Sequence, residues 1–402
     1  MKAIIVGGGI GGLNAALCFH QFGWEVEILE QAAQLEDIGA GIQISPNGMQ
    51  VLRVLDIDGQ VAATGFCPRA TQFRMGQSGR VIMTQNMGQR LEEKWGAPYL
   101  HIHRADLVSA MAGALDERCP GALRMETIVT DYGQDSETAW ATLDDGTTVE
   151  GDIIVGADGI KSAIRTQMLG SEKPRFTGNV AWRAVVPVEK LGRNAPLPVA
   201  SIWLGEGKHA VTYLLRGGTL ANLVGVVERD DWQQESWTEK GTREQAMADF
   251  AGWHPTITTL LEQAEHHYRW ALFDRDPLDQ WVDGRAVLIG DAAHPMLPFM
   301  AQGAVQAIED GYVLARSLAE HGDRDRALRH FFDVRRDRTA AVQKAARRNM
   351  RLFHQRTPGG KLGTYGPMWL AGKTAGQEAF DAQLEWLYGH DVTANGTAPL
   401  QG

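Results

Sequence analysis

The sequence predicts an α/β fold made of two unlike parts and closed by a helical segment. Three observations carry that prediction. Near the N-terminus, a short apolar run is followed by glycines, a helical pattern and a second apolar run ending in an acid. That is the strand, turn, helix, strand order of a parallel sheet. Two later apolar runs, residues 153–155 and 286–289, each break at a Gly followed closely by an Asp. Buried strands end this way where α/β sheets hold their ligands. Between those runs, residues 175–275 lose helical periodicity and read as short β-type segments.

At 402 residues the chain is long enough for two or three domains. Hydrophobic residues make up 44% and charged residues 22%, ordinary values for a chain that buries its own core. The net charge of −10 argues against a nucleic-acid partner, whose phosphates need a basic face. Cys18, Cys67 and Cys119 have no metal-ligand spacing. Neither a metal site nor a disulfide framework is expected, and a reducing cytoplasm fits. No stretch reaches about twenty uninterrupted apolar residues, so no membrane span is expected.

Ala3 to Val6 reads as the first strand. Gly7, Gly9 and Gly12 then fit G-x-G-x-x-G, a helix runs from about Gly11 to Phe22, and a second strand, Val26 to Leu29, leads to Glu30. In such a Rossmann-like turn the first glycine permits the tight turn and the second admits a pyrophosphate. The third lets helix and strand pack closely, and the helix N-terminus faces the negative charge. Glu30 then accepts from a ribose diol. The set implies an adenine dinucleotide without choosing NAD or FAD. Gly39 to Leu55 gives a glycine-rich loop holding Gln43, then a helix that Asn47 can cap. Thr71 to Met75 and Arg80 to Thr84 read as strands. Arg104 opens a helix and can reach a phosphate or pair with Asp106.

Leu123 to Glu150 reads as a small antiparallel insert. Asp158 follows the next buried strand, and a helix begins at Ser162. Residues 175–275 hold six of the twelve tryptophans, including Trp182, Trp203, Trp232 and Trp237, on a sheet that can cover an aromatic ligand. Residues 286–311 return to the first domain with Gly290-Asp291, His294-Pro295, Pro298 and Gly303-Ala304. From Ile308 to His354 the pattern is helical. Arg336, Lys344, Arg347, Arg348 and Arg351 fall largely on its polar face, which reads as a solvated face. The tail from Thr357 reads as loose helix with a disordered end.

Three motifs occur in order: GGGIGG with Glu30, GADGIKSAIR from Gly156, and GDAAHPMLPFMAQG from Gly290. Together they resemble the FAD-dependent aromatic hydroxylases, single-component flavoprotein monooxygenases that include the salicylate and hydroxybenzoate hydroxylases. The resemblance spans Met1 to about Arg348. It implies a glutathione-reductase-type FAD-binding domain in residues 1–174 and 276–356, an inserted sheet-rich substrate domain in 175–275, and a helical tail in 357–402. It implies that Gly7, Gly9, Gly12 and Glu30 hold the ADP half of FAD, that Asp158 lies near the pyrophosphate, and that Arg104 approaches the flavin chain. Asp291 would contact the ribityl chain, and Pro298, Gly303 and Ala304 would line the flavin ring. No second G-x-G-x-x-G occurs, which agrees with NADH or NADPH as a co-substrate without a domain of its own. Such enzymes form a C4a-hydroperoxide that decomposes in water, so Leu297, Phe299 and Met300 are expected to exclude solvent.

A phenol becomes electron-rich at the attacked carbon when it loses its proton. His209 is the candidate base, with Tyr213 beside it. They lie four apart in a β-type segment and project from one face. Family members acting on hydroxybenzoates or hydroxynicotinate have a comparable pair. The competing reading of His209 is a surface histidine beside Lys208. His294 is expected to bond backbone near the flavin. Gln43, Phe299 and Trp182 are expected at the substrate. Arg183 is either a salt-bridge partner or the group that pairs with a substrate carboxylate. Val305 and Phe299 stand where some members carry polar residues, which leaves the hydroxylated ring position open. The implied activity uses NAD(P)H and molecular oxygen to hydroxylate a small phenolic acid. A hydroxypyridine carboxylate, a larger ring, or flavin reduction without oxygen transfer are the alternatives. A monomer or homodimer is expected.

Overall fold

The computed structural model describes residues 1–35, 40–229 and 241–394. Trp232 and Trp237, Gly39, and the end of the tail from residue 395 lie outside the described residues. A six-stranded sheet runs in the order 282–283, 286–288, 153–156, 2–6, 25–29, 123–124. All its pairs are parallel except Val282–Asp283 against Ala286–Leu288. Its central strands are apolar apart from Lys2 at one end. Ala3, Ile4, Ile5, Ile153, Ile154, Val155, Val287 and Leu288 are fully buried, as strands covered on both faces must be. Leu123–Arg124 extends this sheet. The rest of the expected insert is a separate three-stranded sheet of Val129–Gln134, Ala139–Leu143 and Thr148–Gly151.

A seven-stranded sheet forms the second layer, in the order 268–274, 175–187, 220–228, 208–215, 200–205, 70–75, 81–86. The last two strands come from before residue 175. They join through a parallel pairing of Ala70–Met75 with Ala200–Gly205. Cross-strand register sorts its side chains into two faces. Trp182, Ala184, Trp203, Ala210 and Leu223 pack on one side with Phe250, Ile257 and Leu260, the latter group carried on or beside helices Arg243–Asp249 and Pro255–Gln263. Ala181, Leu204, Val224 and Val226 pack on the other side with Leu297, Phe299 and Phe353. That second face looks toward the loop after Asp291.

Helix Gly303–Glu320 packs on the glycine-led helix Ile10–Gln21. Helix Arg324–Phe353 then runs past it toward the seven-stranded sheet. The tail forms two helices, Pro358–Thr374 and Gln377–Tyr388. Among the described residues, no helix is long and apolar enough to cross a membrane.

Candidate active site

Four neighbouring parallel strands end on one edge, and each delivers an expected ligand residue there. Gly7 follows Lys2–Val6, Glu30 follows Glu25–Leu29, Asp158 follows Ile153–Gly156, and Asp291 follows Ala286–Leu288. This is the edge at which α/β sheets bind ligands. A Cβ on Gly12 would stand 1.9 Å from the Gly7 carbonyl oxygen, so helix and turn can meet only at glycine. A Cβ on Gly9 would meet nothing within 4 Å. Gly9 is also the N-cap of helix Ile10–Gln21, whose first turn has no side-chain cap and no acid. That leaves amides for an anion. The Glu30 carboxylate accepts from Gly8 N–H at 2.5 Å and Ala32 N–H at 2.9 Å, which holds it beside the turn. Asp158 accepts from Ala163 N–H at 2.7 Å through one oxygen. Its other oxygen, Oδ1, is buried without a partner, and burial raises its pKa. An open glycine cradle, free helix amides and an orphaned carboxylate oxygen fit a dinucleotide.

Asp291 is exposed at this edge, yet the protein around it raises its pKa by desolvation. His294 and Arg104 oppose that rise, which brings Arg104 to the same site. Asp106 accepts from Arg216 at 2.7 and 2.8 Å. Gly290 has φ of +58°, which aims its N–H at Asp310 Oδ2, 2.9 Å away. His294 Nε2 lies 2.5 Å from the same carboxylate. The expectation that His294 bonds backbone is therefore corrected. It holds the loop through a buried acid. Pro298 opens a single 3-10 turn, Pro298–Met300, and Ala301 leaves it at φ +52° before Gly303 and Ala304 begin the next helix. Val305 is fully buried. It packs against Gly48, where a Cβ would meet it at 3.1 Å, so it does not face a substrate.

On the cleft face of the seven-stranded sheet, His209, Tyr213 and Arg183 surround Val211 and Val224. The register pairs Val224 with both Val211 and Arg183. His209 and Tyr213 stand about 13 Å apart along their strand. His209 is buried, so it is not a surface histidine. Its ring centroid lies 5.2 Å from Phe299, and burial and the neighbouring His354 hold its pKa well below the ordinary histidine value. The Tyr213 hydroxyl donates to the Gly41 carbonyl at 2.6 Å. Arg183 lies 4.3 Å over the Trp270 ring. Its Nε is buried without a partner, and burial lowers its pKa. Gln43 accepts from the Tyr99 hydroxyl at 2.5 Å. Trp182 is the clear correction among the pocket residues. It is fully buried on the opposite face, and its Nε1 donates to Asp249 at 2.7 Å. Alternation along a strand put Arg183 on the cleft and its neighbour Trp182 away from it.

Two neighbours of this site were not legible. His354 contacts His209 across 145 residues of sequence, and Glu228 contacts His354 across 126. A histidine closing a long helix carries no sign of such partners.

The ligand edge, with an inserted sheet facing it, defines a dinucleotide-binding flavoprotein of the glutathione-reductase type. The family described as FAD binding domain matches residues 1–349. Over 354 residues the chain is 36% identical to the 3-amino-4-hydroxybenzoate 2-monooxygenase of Streptomyces platensis, covering 88% of each. Over 393 residues it is 36% identical to the 3-hydroxybenzoate 6-hydroxylase of Klebsiella oxytoca, covering 97% of this chain and 96% of the relative. The crystal structure of Klebsiella pneumoniae HpxO with FAD and uric acid superposes with a TM-score of 0.86, at 26% identity, over 97% of both chains. The chain belongs to the FAD-dependent aromatic hydroxylases and is a flavoprotein monooxygenase.

Proposed function

We propose that this monooxygenase hydroxylates a small phenolic acid of the hydroxybenzoate type, with NADH or NADPH as electron donor and molecular oxygen as oxidant. The observation that carries this reading is His209. It is buried on the cleft face against Phe299, in a chain closely similar to two hydroxybenzoate enzymes. FAD supplies the electron transfer and oxygen activation when bound. The protein does the rest. Asp291 and Arg104 anchor the cofactor chain. Buried Leu297 and Phe299 exclude water. His209 takes the phenolic proton at Nε2, because Nδ1 is engaged by His354. Tyr213 has lone pairs left to accept from a substrate hydroxyl. Arg183, with its orphaned Nε, takes the carboxylate. We place the enzyme in the reducing cytoplasm, where its three free cysteines stay reduced.

The test is direct. The protein loaded with FAD oxidises NADH slowly alone and sharply faster with the right phenolic acid, taking up one oxygen molecule per product. If no phenolic acid stimulates NADH oxidation, the reading is wrong. His209→Ala lowers product formation by about 10²-fold or more, the weight of a general base, while the bound-flavin spectrum is unchanged. Loss of flavin in that variant would make His209 structural.

A further inference from the structure

His209 has two ring nitrogens, and only one can meet substrate. The other leads away from the cleft. Nδ1 of His209 lies 2.6 Å from Nε2 of His354, and Nδ1 of His354 lies 3.0 Å from Oε1 of Glu228. Three elements supply these groups: strand Lys208–Leu215, the residue that closes helix Arg324–Phe353, and the last residue of strand Leu220–Glu228. The His354 side chain is 2% exposed and that of Glu228 is 31% exposed, so the series runs from the cleft to solvent. Arg356 Nε donates to the other Glu228 oxygen at 2.8 Å, which fixes the outer end. Phe299 and Phe353 wall the inner ring, with centroids 5.2 and 5.1 Å from that of His209.

The direction of each hydrogen bond follows from the outermost group. A carboxylate only accepts, so His354 Nδ1 carries a hydrogen. Neutral His354 then has its lone pair on Nε2, and that nitrogen must accept. His209 Nδ1 therefore donates, and His209 Nε2 is left with the lone pair.

We infer that Glu228 and His354 form a relay that keeps His209 Nε2 unprotonated and carries the substrate's phenolic proton to solvent. The inference rests on the phenolic-acid reading above. The proton count closes. The phenolic O–H bond breaks as an N–H bond forms at His209 Nε2. The Nδ1 proton of His209 passes to Nε2 of His354, and the Nδ1 proton of His354 passes to Glu228 and on to water. The reverse path returns a proton to the oxygen when product leaves. No imidazolium is then left buried beside Phe299.

Among the described residues, few charges act on this series. His354 faces His209. Glu228 and Arg356 face His354. The Glu206–Lys361 pair lies at the hairpin beyond. Lys208 donates to the Asp249 carbonyl. Burial lowers the pKa of both rings. Glu228 opposes that fall at His354, while Arg356 adds to it. Both imidazoles are thus neutral at pH 7, as the relay requires.

The experiment compares Glu228→Ala, His354→Phe and the conservative Glu228→Asp as FAD-loaded enzymes. The probe is 3-hydroxybenzoate, or whichever phenolic acid drives NADH oxidation. Without NADH, phenolate absorbance of the bound ligand is followed against pH. The ionisation midpoint is expected to rise by about one pH unit or more in Glu228→Ala and His354→Phe. At pH 7 their kcat falls about tenfold or more, with KM little changed and activity recovering as pH rises. Glu228→Asp restores most of it. An unchanged midpoint and pH profile in fully flavinated Glu228→Ala overturns the relay and leaves the hydroxylase reading standing. A wild-type enzyme that neither ionises nor hydroxylates a phenolic acid overturns both. If His354→Phe loses flavin, Glu228→Ala decides, because its side chain reaches the surface.

Discussion

Asp291 and Trp182 show how far one side chain's place decides its role. The Asp291 carboxylate sits exposed just beyond a strand end, while the Gly290 amide and the His294 ring beside it both bond Asp310 instead. Its removal should therefore cost binding and not folding. A hydrogen bond to a charged group contributes about 1.5–3 kcal/mol, so Asp291→Ala should weaken FAD by roughly 10- to 150-fold. Equilibrium titration of flavin fluorescence measures this. A dissociation constant within about threefold of wild type would remove Asp291 from the cofactor site. Trp182 gives the opposite expectation. Its indole N–H bonds Asp249 on the far face, and Asp249 also holds Arg229 at 3.1 and 3.2 Å. Trp182→Phe should lower stability by about 1 kcal/mol and leave KM for the aromatic substrate unchanged. A changed KM would mean the sheet's far face communicates with the cleft.

At the scale of elements, helices Gly303–Glu320 and Arg324–Phe353 are joined by a buried ionic network. Arg335 binds Glu309 and also donates to Asp310 at 2.7 Å, and Arg338 donates to both Glu309 oxygens at 2.7 Å. Neither arginine side chain is more than 1% exposed. Burial alone would raise the pKa of Glu309 and Asp310. The guanidiniums overcome it at Glu309, and His294 with Arg335 overcomes it at Asp310, so both are depressed. Depressed carboxylates lend stability above their unfolded pKa values, near 4, and lose it as pH falls below that. Melting temperature should therefore drop steeply below about pH 4, and Glu309→Gln should flatten that drop. Arg335→Met, which leaves buried carboxylates underpaired, should cost about 3–5 kcal/mol. A cost below about 1 kcal/mol would show that the network adds little. The motif glycines, the strand ends and Asp291 were legible because each obeys a local rule. Arg335 and Arg338 were not, because helical spacing marks a polar face without saying what covers it. Residues 70–75 pair with residues 200–205, a contact that no local pattern records. The cleft face of residues 181–183 was equally silent, since alternation gives two faces and does not say which one meets the cofactor.

The whole molecule is tied together along helix Arg324–Phe353. Its first half bonds Glu309 and Asp310 in the cofactor layer. Gln343 then donates to the Pro295 carbonyl at 2.9 Å, and Asn349 to the Phe299 carbonyl at 3.1 Å, within the cleft loop. Arg347 donates to Asp274 at 2.8 Å in the seven-stranded sheet, and His354 reaches His209. One rigid element thus touches cofactor layer, loop and substrate sheet in turn. The two layers should consequently unfold together, even without FAD. Cofactor binding should move that single transition and not create a second. At free FAD about 100-fold above its dissociation constant, the folded state gains about 2.7 kcal/mol. Each kcal/mol is worth about 2–4 °C in a chain of 150–250 residues, and less in a longer one, so a rise of roughly 3–6 °C is expected. Scanning calorimetry of the stripped and reloaded protein measures it, with flavin fluorescence recorded in parallel. Flavin release should coincide with loss of helical circular dichroism. Two resolved transitions in the stripped protein would show that the helix does not couple the layers. The cleft would then owe its geometry to the cofactor itself.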